Sequence, residues 1–155
     1  MRIRPGENHP SYLALLELLR TADVVWKASR VFFERWDLSP SQFNVLNLLH
    51  LNPDGLSQTD LSRQLIMHRS NLTGLVDRLE KRGLVARREV AADRRAYSVV
   101  LTASGARLLR DILPRYYQEA VRVWDQLSAP RATDLIADLR RVAENAQRIV
   151  TSLPR

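Results

Sequence analysis

Cysteine is absent from this chain of 155 residues, and so is any long apolar run. Without cysteine the chain has no disulfide framework, no thiolate metal site and no thiol-based redox switch. A membrane-spanning helix needs about 18 or more consecutive apolar residues, which the sequence does not supply. Charged residues interrupt the leucine-rich stretch near the start, so we expect no signal peptide. These absences predict a soluble, cytoplasmic protein.

Lysine is scarce, since arginine supplies 22 of the 24 cationic side chains. The net charge of +7 suggests a polyanionic partner, although a preference for arginine can also reflect the base composition of a genome. The distribution of the charge is more informative than its total. Residues 57–95 contain nine cations and five anions, so about a quarter of the chain carries more than half of the excess positive charge.

The spacing of apolar residues predicts long helices at both ends of the chain. Residues 11–36 show the steps of three and four that are typical of an amphipathic helix. Thr102 predicts the start of a second helix to about residue 127, and we expect Pro114 to kink or break it. Residues 128–151 repeat apolar side chains with heptad steps, which predicts a seam for pairing with another helix. The seam comprises Leu135, Leu139, Val142, Ala146, Ile149 and Leu153.

Three shorter helices are predicted between the long ones. Ser39 and Gln42 have the spacing of a capping box at the start of the first. Ser57 opens the second, which is short. The third spans about residues 69–82 and ends at Gly83.

Beyond the third helix, the spacing of apolar residues changes from a period near 3.6 residues, typical of a helix, to a period of 2 residues, typical of a strand. Residues 84–90 and 96–101 predict two strands, joined by a polar loop over residues 91–95. The order of helix, short helix, helix and hairpin is that of a winged helix-turn-helix. We therefore expect a single domain that is mainly α with a small β-hairpin wing, and place the winged helix-turn-helix lobe over residues 38–103.

The third of these helices has a polar face that suits the major groove of DNA. With its apolar residues facing inward, polar side chains near its N-terminal end can reach base edges. Arg69 can form paired hydrogen bonds with guanine and Asn71 with adenine, while Gly74 allows close approach of the backbone. An ordinary solvated face is the alternative. The candidate base-reading residues are Arg69, Ser70, Asn71, Thr73, Gly74 and Arg78.

Arginines are also concentrated in the predicted hairpin. Arg94 and Arg95 lie at its tip, where they can enter a narrow minor groove, and Asp93 would orient one of them. Arg87 and Arg88, near the base of the first strand, are candidate phosphate contacts. The alternative is a set of surface ion pairs, each contributing about 0–1 kcal/mol.

Several motifs together resemble one protein family. They are GLSQTDL (residues 55–61), LVDRLEKRGLV (residues 75–85) and DRR (residues 93–95), followed by VVLT (residues 99–102). This combination is similar to that of the MarR family of bacterial and archaeal transcription regulators. The resemblance is specific over about residues 38–109, and elsewhere it is limited to the long terminal helices.

The resemblance implies a homodimer whose dimerisation region consists of the terminal helices, residues 10–36 and 104–153. Each subunit would place its recognition helix in a major groove and its wing in the flanking minor groove of a pseudo-palindrome. Arg95 corresponds to the family's minor-groove arginine, and Asp93 to the acid that positions it. His68 departs from the family's usual capping residue, as Gly74 departs from its usual larger residue, which affects the expected base preference.

A small-molecule partner is also implied, because many such proteins are repressors released by a small ligand that is often aromatic or anionic. Trp26, Trp36 and Tyr116 are candidates for lining its pocket, with core or dimer packing as the alternative. The three histidines are far apart and show no ligand spacing, so we expect no metal site and no cofactor.

The first hypothesis is therefore a dimeric regulator that binds double-stranded DNA in a sequence-specific manner, more as a repressor than an activator. A winged-helix module that docks a protein partner without binding DNA is the second. A small enzyme is the third, although no glycine-rich phosphate loop or Ser/His/Asp arrangement supports it.

Overall fold

The computed structural model describes residues 9–65, 72–90 and 93–152, with the backbone alone described at residues 90 and 93–96. Six helices and three strands follow one another within these ranges. They are α1 (Pro10–Glu34), α2 (Pro40–Leu51), β1 (Leu56–Ser57), α3 (Gln58–Gln64), α4 (Leu72–Lys81), β2 (Val85–Val90), β3 (Asp93–Leu101), α5 (Ala103–Val123) and α6 (Ala129–Ser152). This mainly helical fold with a small antiparallel sheet confirms the predicted class.

The start of α2 is determined by its own sequence. The Ser39 hydroxyl accepts a hydrogen bond of 3.2 Å from the Gln42 N–H, and the Gln42 side chain accepts one of 2.8 Å from the Ser39 N–H. The predicted capping box is thus confirmed. Behind this cap, Phe43 stacks on Phe33 of α1 with 4.3 Å between the ring centroids. The helix therefore enters the core in a fixed orientation.

A single core joins α2, α3, α4 and the sheet. Its side chains come from every one of these elements, because each presents one apolar face to the interior. The largest fully buried side chains of this core include Phe33, Phe43, Leu46, Leu49, Leu61, Leu79, Val76, Val85 and Val99.

The sheet contains one strand more than the predicted hairpin. β1 pairs with β3 in antiparallel fashion, Leu56 lying opposite Val99, and β2 pairs with the other edge of β3, Val85 lying opposite Leu101. The resulting order is β1-β3-β2. The sequence did not predict β1, because two residues are too few to show the alternation of apolar and polar side chains that is typical of a strand.

The hairpin is longer than the sequence predicted. β3 begins at Asp93, so residues 93–95 belong to a strand rather than to the expected loop. Glu89 lies opposite Tyr97 and Val90 opposite Asp93, with a shift of register between the two pairs. Such a shift marks a β-bulge or a larger irregularity of the ladder, with three more residues on β3 than on β2 between the two pairs. Pairing continues past the apolar alternation because backbone hydrogen bonds do not depend on apolar side chains.

α5 begins directly against the chain segment that follows α4. The Thr102 hydroxyl donates a hydrogen bond of 2.7 Å to the Gly83 carbonyl and accepts one of 3.0 Å from the Gly105 N–H. The Thr102 N–H donates to the Leu84 carbonyl at 3.1 Å. A Cβ atom at position 105 would lie 2.2 Å from that same Leu84 oxygen, so only glycine fits there.

α5 continues through Pro114, where the sequence predicted a kink or a break. The helix is not broken, although proline removes the hydrogen bond to the Arg110 carbonyl. The backbone divides into two compact units after Leu109, within this helix. The predicted division into a central lobe and a dimerisation region concerns assembly and stays a prediction.

No helix of the described ranges has the length and apolar character needed to cross a membrane.

The Gly105–Leu84 contact yields a stability prediction. We expect Gly105→Ala to lower the free energy of unfolding by about 2–3 kcal/mol, because the added methyl group meets a backbone oxygen that is itself hydrogen-bonded. Urea denaturation measures this change. Ser104→Ala, at the exposed neighbouring position, is the control and should stay within about 0.5 kcal/mol of the wild type. Equal stability of the two variants would contradict the close packing of this junction.

Candidate nucleic-acid interface

α4 has one buried face and an exposed remainder. Leu72, Val76 and Leu79 are buried, since steps of four and three place them on one side of the helix. The exposed side chains are those of Thr73, Asp77, Arg78 and Lys81, and Gly74 is half-buried. Among the predicted base-reading residues, the structure brings Thr73, Gly74 and Arg78 onto this helix. Arg69, Ser70 and Asn71 lie outside the described residues.

α3 precedes α4 and is anchored by its own cap. The Ser57 hydroxyl oxygen accepts a hydrogen bond of 3.1 Å from the Asp60 N–H, and the hydroxyl donates one of 2.6 Å to the Asp60 carboxylate. Leu61 packs into the core. The predicted order of α2, α3, α4 and hairpin is therefore confirmed, and with it the winged helix-turn-helix architecture.

Arg87 connects the hairpin to α4. Its Nη2 lies 2.5 Å from the Asp77 Oδ1, its Nη1 pairs with the Glu80 carboxylate, and its backbone N–H donates a hydrogen bond of 2.9 Å to Glu80 Oε1. The Asp77 hydrogen bond, together with the charge and hydrogen bond of Glu80, raises the pKa of the Arg87 guanidinium above its ordinary value, although partial burial opposes the effect. The strand and the helix are thereby held in a fixed relation.

These ion pairs occupy the guanidinium that the sequence analysis assigned to a DNA phosphate. Sequence reasoning missed this link, although Asp77 and Glu80 are separated by three positions and so lie on one side of a helix. Arg88 is exposed, on the opposite face of β2 from Arg87, because successive side chains alternate across a strand. The two adjacent arginines therefore have different surroundings.

The hairpin brings the backbone of Asp93, Arg94 and Arg95 into β3. The structure describes only the backbone of these residues. Tyr97, further along the same strand, exposes nearly half of its side chain. The wing thus has a defined backbone pairing, and the orientation predicted for Arg95 stays a prediction.

Of the aromatic residues predicted to line a ligand pocket, Trp26 lies on α1, Trp36 in the turn after it and Tyr116 on α5. Trp26 and Trp36 are half-buried, and Trp36 packs against Phe32 with 5.3 Å between the ring centroids. Tyr116 lies on α5, 6.2 Å from the ring of Tyr117. A shallow groove of about 260 Å³ lies between the end of α1 and the start of α2, and neither tryptophan is among its lining residues.

Metal-binding side chains do not gather in the part of the chain that the structure describes. No group of three or more His, Cys, Asp or Glu residues with suitable geometry occurs there. His9 instead caps α1, where its ring nitrogen accepts a hydrogen bond of 3.2 Å from the Ser11 N–H.

The Arg87 ion pairs predict a loss of stability rather than a simple loss of surface charge. We expect Arg87→Ala to lower the free energy of unfolding by about 1 kcal/mol, because it leaves two neighbouring carboxylates unpaired. Since the raised pKa keeps the guanidinium charged, the loss should be the same at neutral and mildly alkaline pH. Arg88→Ala serves as the control in the same denaturation experiment. If the two variants were equally stable, the Arg87 bridge would have no structural role.

Comparisons with known proteins agree with this architecture. A sequence profile described as the MarR family matches residues 36–96. The uncharacterized HTH-type transcriptional regulator YfiV of Bacillus subtilis is 33% identical over 115 residues, which cover 72% of this chain and 71% of YfiV. The transcriptional repressor MprA of Escherichia coli is 36% identical over 80 residues, covering 52% of this chain and 46% of MprA.

The fold also matches solved structures. The MarR family regulator Sco3205 of Streptomyces coelicolor, solved in complex with DNA, superposes with a TM-score of 0.81 at 24% identity, covering 93% of this chain and 92% of that one. These findings favour a DNA-binding regulator over a protein-docking module or an enzyme. The chain belongs to the MarR family of winged helix-turn-helix transcriptional regulators, which bind double-stranded DNA.

Proposed function

We propose that this protein is a homodimeric repressor of a pseudo-palindromic operator, with α4 in the major groove and the β2–β3 hairpin in the adjacent minor groove. The observation that carries the proposal is the division of α4 into a buried and an exposed side. Because Leu72, Val76 and Leu79 are buried, the exposed side is a rigid surface, and a major groove admits one helix.

Base readout in this proposal falls to the N-terminal part of the recognition helix. Arg69 and Asn71 have the side chains that pair with guanine and adenine edges, and Ser70 and Thr73 can contact either bases or phosphates. Arg78 is exposed about one and a half turns beyond Thr73, where a cation contacts the DNA backbone or a guanine. Gly74 leaves room for close approach of the helix.

Phosphate contacts supply much of the affinity. The excess positive charge of residues 57–95 lies in the same segment as α4 and the hairpin. Each phosphate that a cation neutralises releases counterions, so binding weakens as salt rises. We assign Arg88 to this role and exclude Arg87, whose guanidinium already pairs with Asp77 and Glu80.

The hairpin completes the interface through its arginines. Arg94 and Arg95 are the candidates for entering the minor groove, with Asp93 orienting Arg95, since a narrow minor groove attracts cations. The long pairing of β2 with β3 supports this role, because it gives the wing a firm base. With DNA as its partner, the protein would act in the cytoplasm.

Unusually exposed apolar surface on α1 and α6 supports the homodimer. Phe33 is the buried residue of α1, whereas Tyr12, Leu15 and Leu19 are 45–60% exposed. None of the 24 residues of α6, all of which the structure describes, is buried. Large exposed apolar faces mark interaction surfaces, and the heptad seam of α6 suits a helix from a second copy.

A small aromatic or anionic ligand would release the protein from DNA, and Trp26, Trp36 and Tyr116 remain its candidate contacts. The similarity of this chain to the repressor MprA supports repression rather than activation of transcription. Screening small aromatic acids for release of a bound DNA fragment, with parallel thermal unfolding, tests this part of the proposal.

Two substitutions separate base readout from backbone contact. Asn71→Ala should weaken discrimination at one base pair of each half-site by about 1–3 kcal/mol, because an amide contact to one base is lost. Arg95→Ala should weaken binding to all sequences. It should also reduce the magnitude of the negative slope of the log association constant against log salt concentration by about 1. Fluorescence anisotropy with a DNA fragment from the protein's own upstream region, titrated with salt, measures both effects.

Unrelated DNA of the same length is the control in that experiment. If both variants bound both DNA fragments as the wild type does, the assignment of α4 and the hairpin to the two grooves would be wrong. A wild-type salt slope near zero would contradict electrostatic DNA binding altogether.

The dimer proposal predicts that a charge on the α6 seam separates the subunits. Leu139→Glu should raise the dimer dissociation constant by about tenfold or more, because it places a carboxylate in an apolar contact. Gln147→Glu introduces the same charge at an exposed position away from the seam and is the matched control. Sedimentation over a range of concentrations measures the constants. A monomeric wild type, or equal dissociation of the two variants, would refute this interface.

A further inference from the structure

Two helix ends lie together at the base of the helix-turn-helix. α1 ends in a turn at Asp37, whose φ of +53° is left-handed. There the Asp37 N–H donates to the Glu34 carbonyl at 2.9 Å and the Leu38 N–H to the Phe33 carbonyl at 3.3 Å. This is the hydrogen-bond pattern of a Schellman motif, which closes the helix and turns the chain toward α2.

α4 ends in the same way. Gly83, with a φ of +68°, donates its N–H to the Glu80 carbonyl at 2.8 Å, and the Leu84 N–H donates to the Leu79 carbonyl at 3.0 Å. The helix therefore stops at a defined residue. Arg82, immediately before Gly83, projects from this end.

The Arg82 guanidinium bridges the two helix ends. Its Nη2 donates a hydrogen bond of 3.0 Å to the Trp36 carbonyl, and its Nη1 donates one to the Asp37 carbonyl. Nη1 also lies 3.7 Å from the Asp37 carboxylate, but that carboxylate is 97% exposed and so contributes little. The Arg82 side chain itself is only 31% exposed. The two carbonyl bonds are thus the main contact.

Elementary electrostatics favours this arrangement. The last carbonyls of a helix lack partners within it, and they carry the negative end of the helix dipole. A guanidinium supplies two parallel N–H donors on a planar fork, so it can hold two carbonyls at once. Lysine carries the same charge on a single nitrogen and lacks this fork. The Trp36 and Asp37 carbonyls lie in the turn just beyond α1, near the negative end of its dipole. Arg82 therefore holds this turn from a position 45 residues beyond Asp37.

We propose that Arg82 is a positioning residue for DNA recognition, which fixes the C-terminal end of α4 against the α1–α2 turn without itself contacting DNA. The inference rests on the proposed use of α4 in the major groove. Thr102 holds the following carbonyls, those of Gly83 and Leu84, from the side of α5. The end of α4 is therefore fixed between the turn that follows α1 and the residue that precedes α5.

The functional consequence concerns the angle of α4. Two recognition helices must meet successive major grooves, so a small change of tilt in each subunit disturbs base contacts while leaving the general attraction to phosphates in place. Because Arg82 acts through the turn that ends α1, it also couples the reading helix to the helix whose apolar face we assign to the dimer.

The test compares Arg82→Lys and Arg82→Ala with the wild type in the full-length protein. Binding to DNA from the protein's own upstream region and to unrelated DNA is measured by anisotropy over a series of salt concentrations. Arg78→Ala, one turn earlier on the exposed side of α4, is the comparison for a cation that contacts DNA. Thermal unfolding followed by circular dichroism shows which variants are folded at the assay temperature.

We expect both Arg82 variants to bind the upstream DNA about tenfold more weakly, since Arg82→Ala loses both carbonyl hydrogen bonds and Arg82→Lys loses the fork that makes them together. Their salt slopes and their binding to unrelated DNA should equal those of the wild type. Arg78→Ala should instead lower the salt slope by about 1. If Arg82→Ala does not fold, Arg82→Lys carries the test, because it keeps the charge and the length of the side chain.

Four results would overturn the inference. Wild-type binding by Arg82→Lys would mean that charge suffices, and a salt slope lowered by about 1 in Arg82→Ala would make Arg82 a phosphate contact. If Arg78→Ala and Asn71→Ala altered binding while both Arg82 variants matched the wild type, only this inference would fall. If no substitution in the recognition helix altered binding, the proposed function would fall together with it.

Discussion

Burial of the apolar side of α4 determines which surface this helix presents to solvent. Leu72, Val76 and Leu79 insert into a core shared with α2 and the sheet, and this insertion fixes which side chains remain outside. Polar contacts then refine the placement, since Arg87 ties the helix to β2 and Thr102 ties its end to α5. Packing and hydrogen bonding thus agree on which side of α4 is exposed.

Four arginines of this lobe whose side chains the structure describes divide into two kinds by their partners. Arg82 and Arg87 are directed to carbonyl and carboxylate groups of the protein and are only 31% and 25% exposed in their side chains. Arg78 and Arg88 are exposed. The net charge of the lobe therefore overstates the number of cations available to a polyanion. A basic sequence segment can serve internal order as much as binding.

Local signals made much of the fold predictable. The capping box of Ser39 and Gln42 and the helix stop at Gly83 depend on neighbouring residues, so the sequence displays them directly. Contacts between distant residues are not displayed in this way: Arg82 reaches Trp36 across 46 positions, and Leu56 pairs with Val99. Pro114 remained within a helix because the loss of one backbone hydrogen bond did not outweigh the turns on either side.

The central claim is that two copies of α4 face successive major grooves on one side of the duplex. Hydroxyl-radical footprinting of the protein's upstream DNA tests it most directly. We expect two protected patches whose centres are about 10 base pairs apart, related by a two-fold axis. A single protected patch, or patches on opposite faces of the duplex, would contradict it.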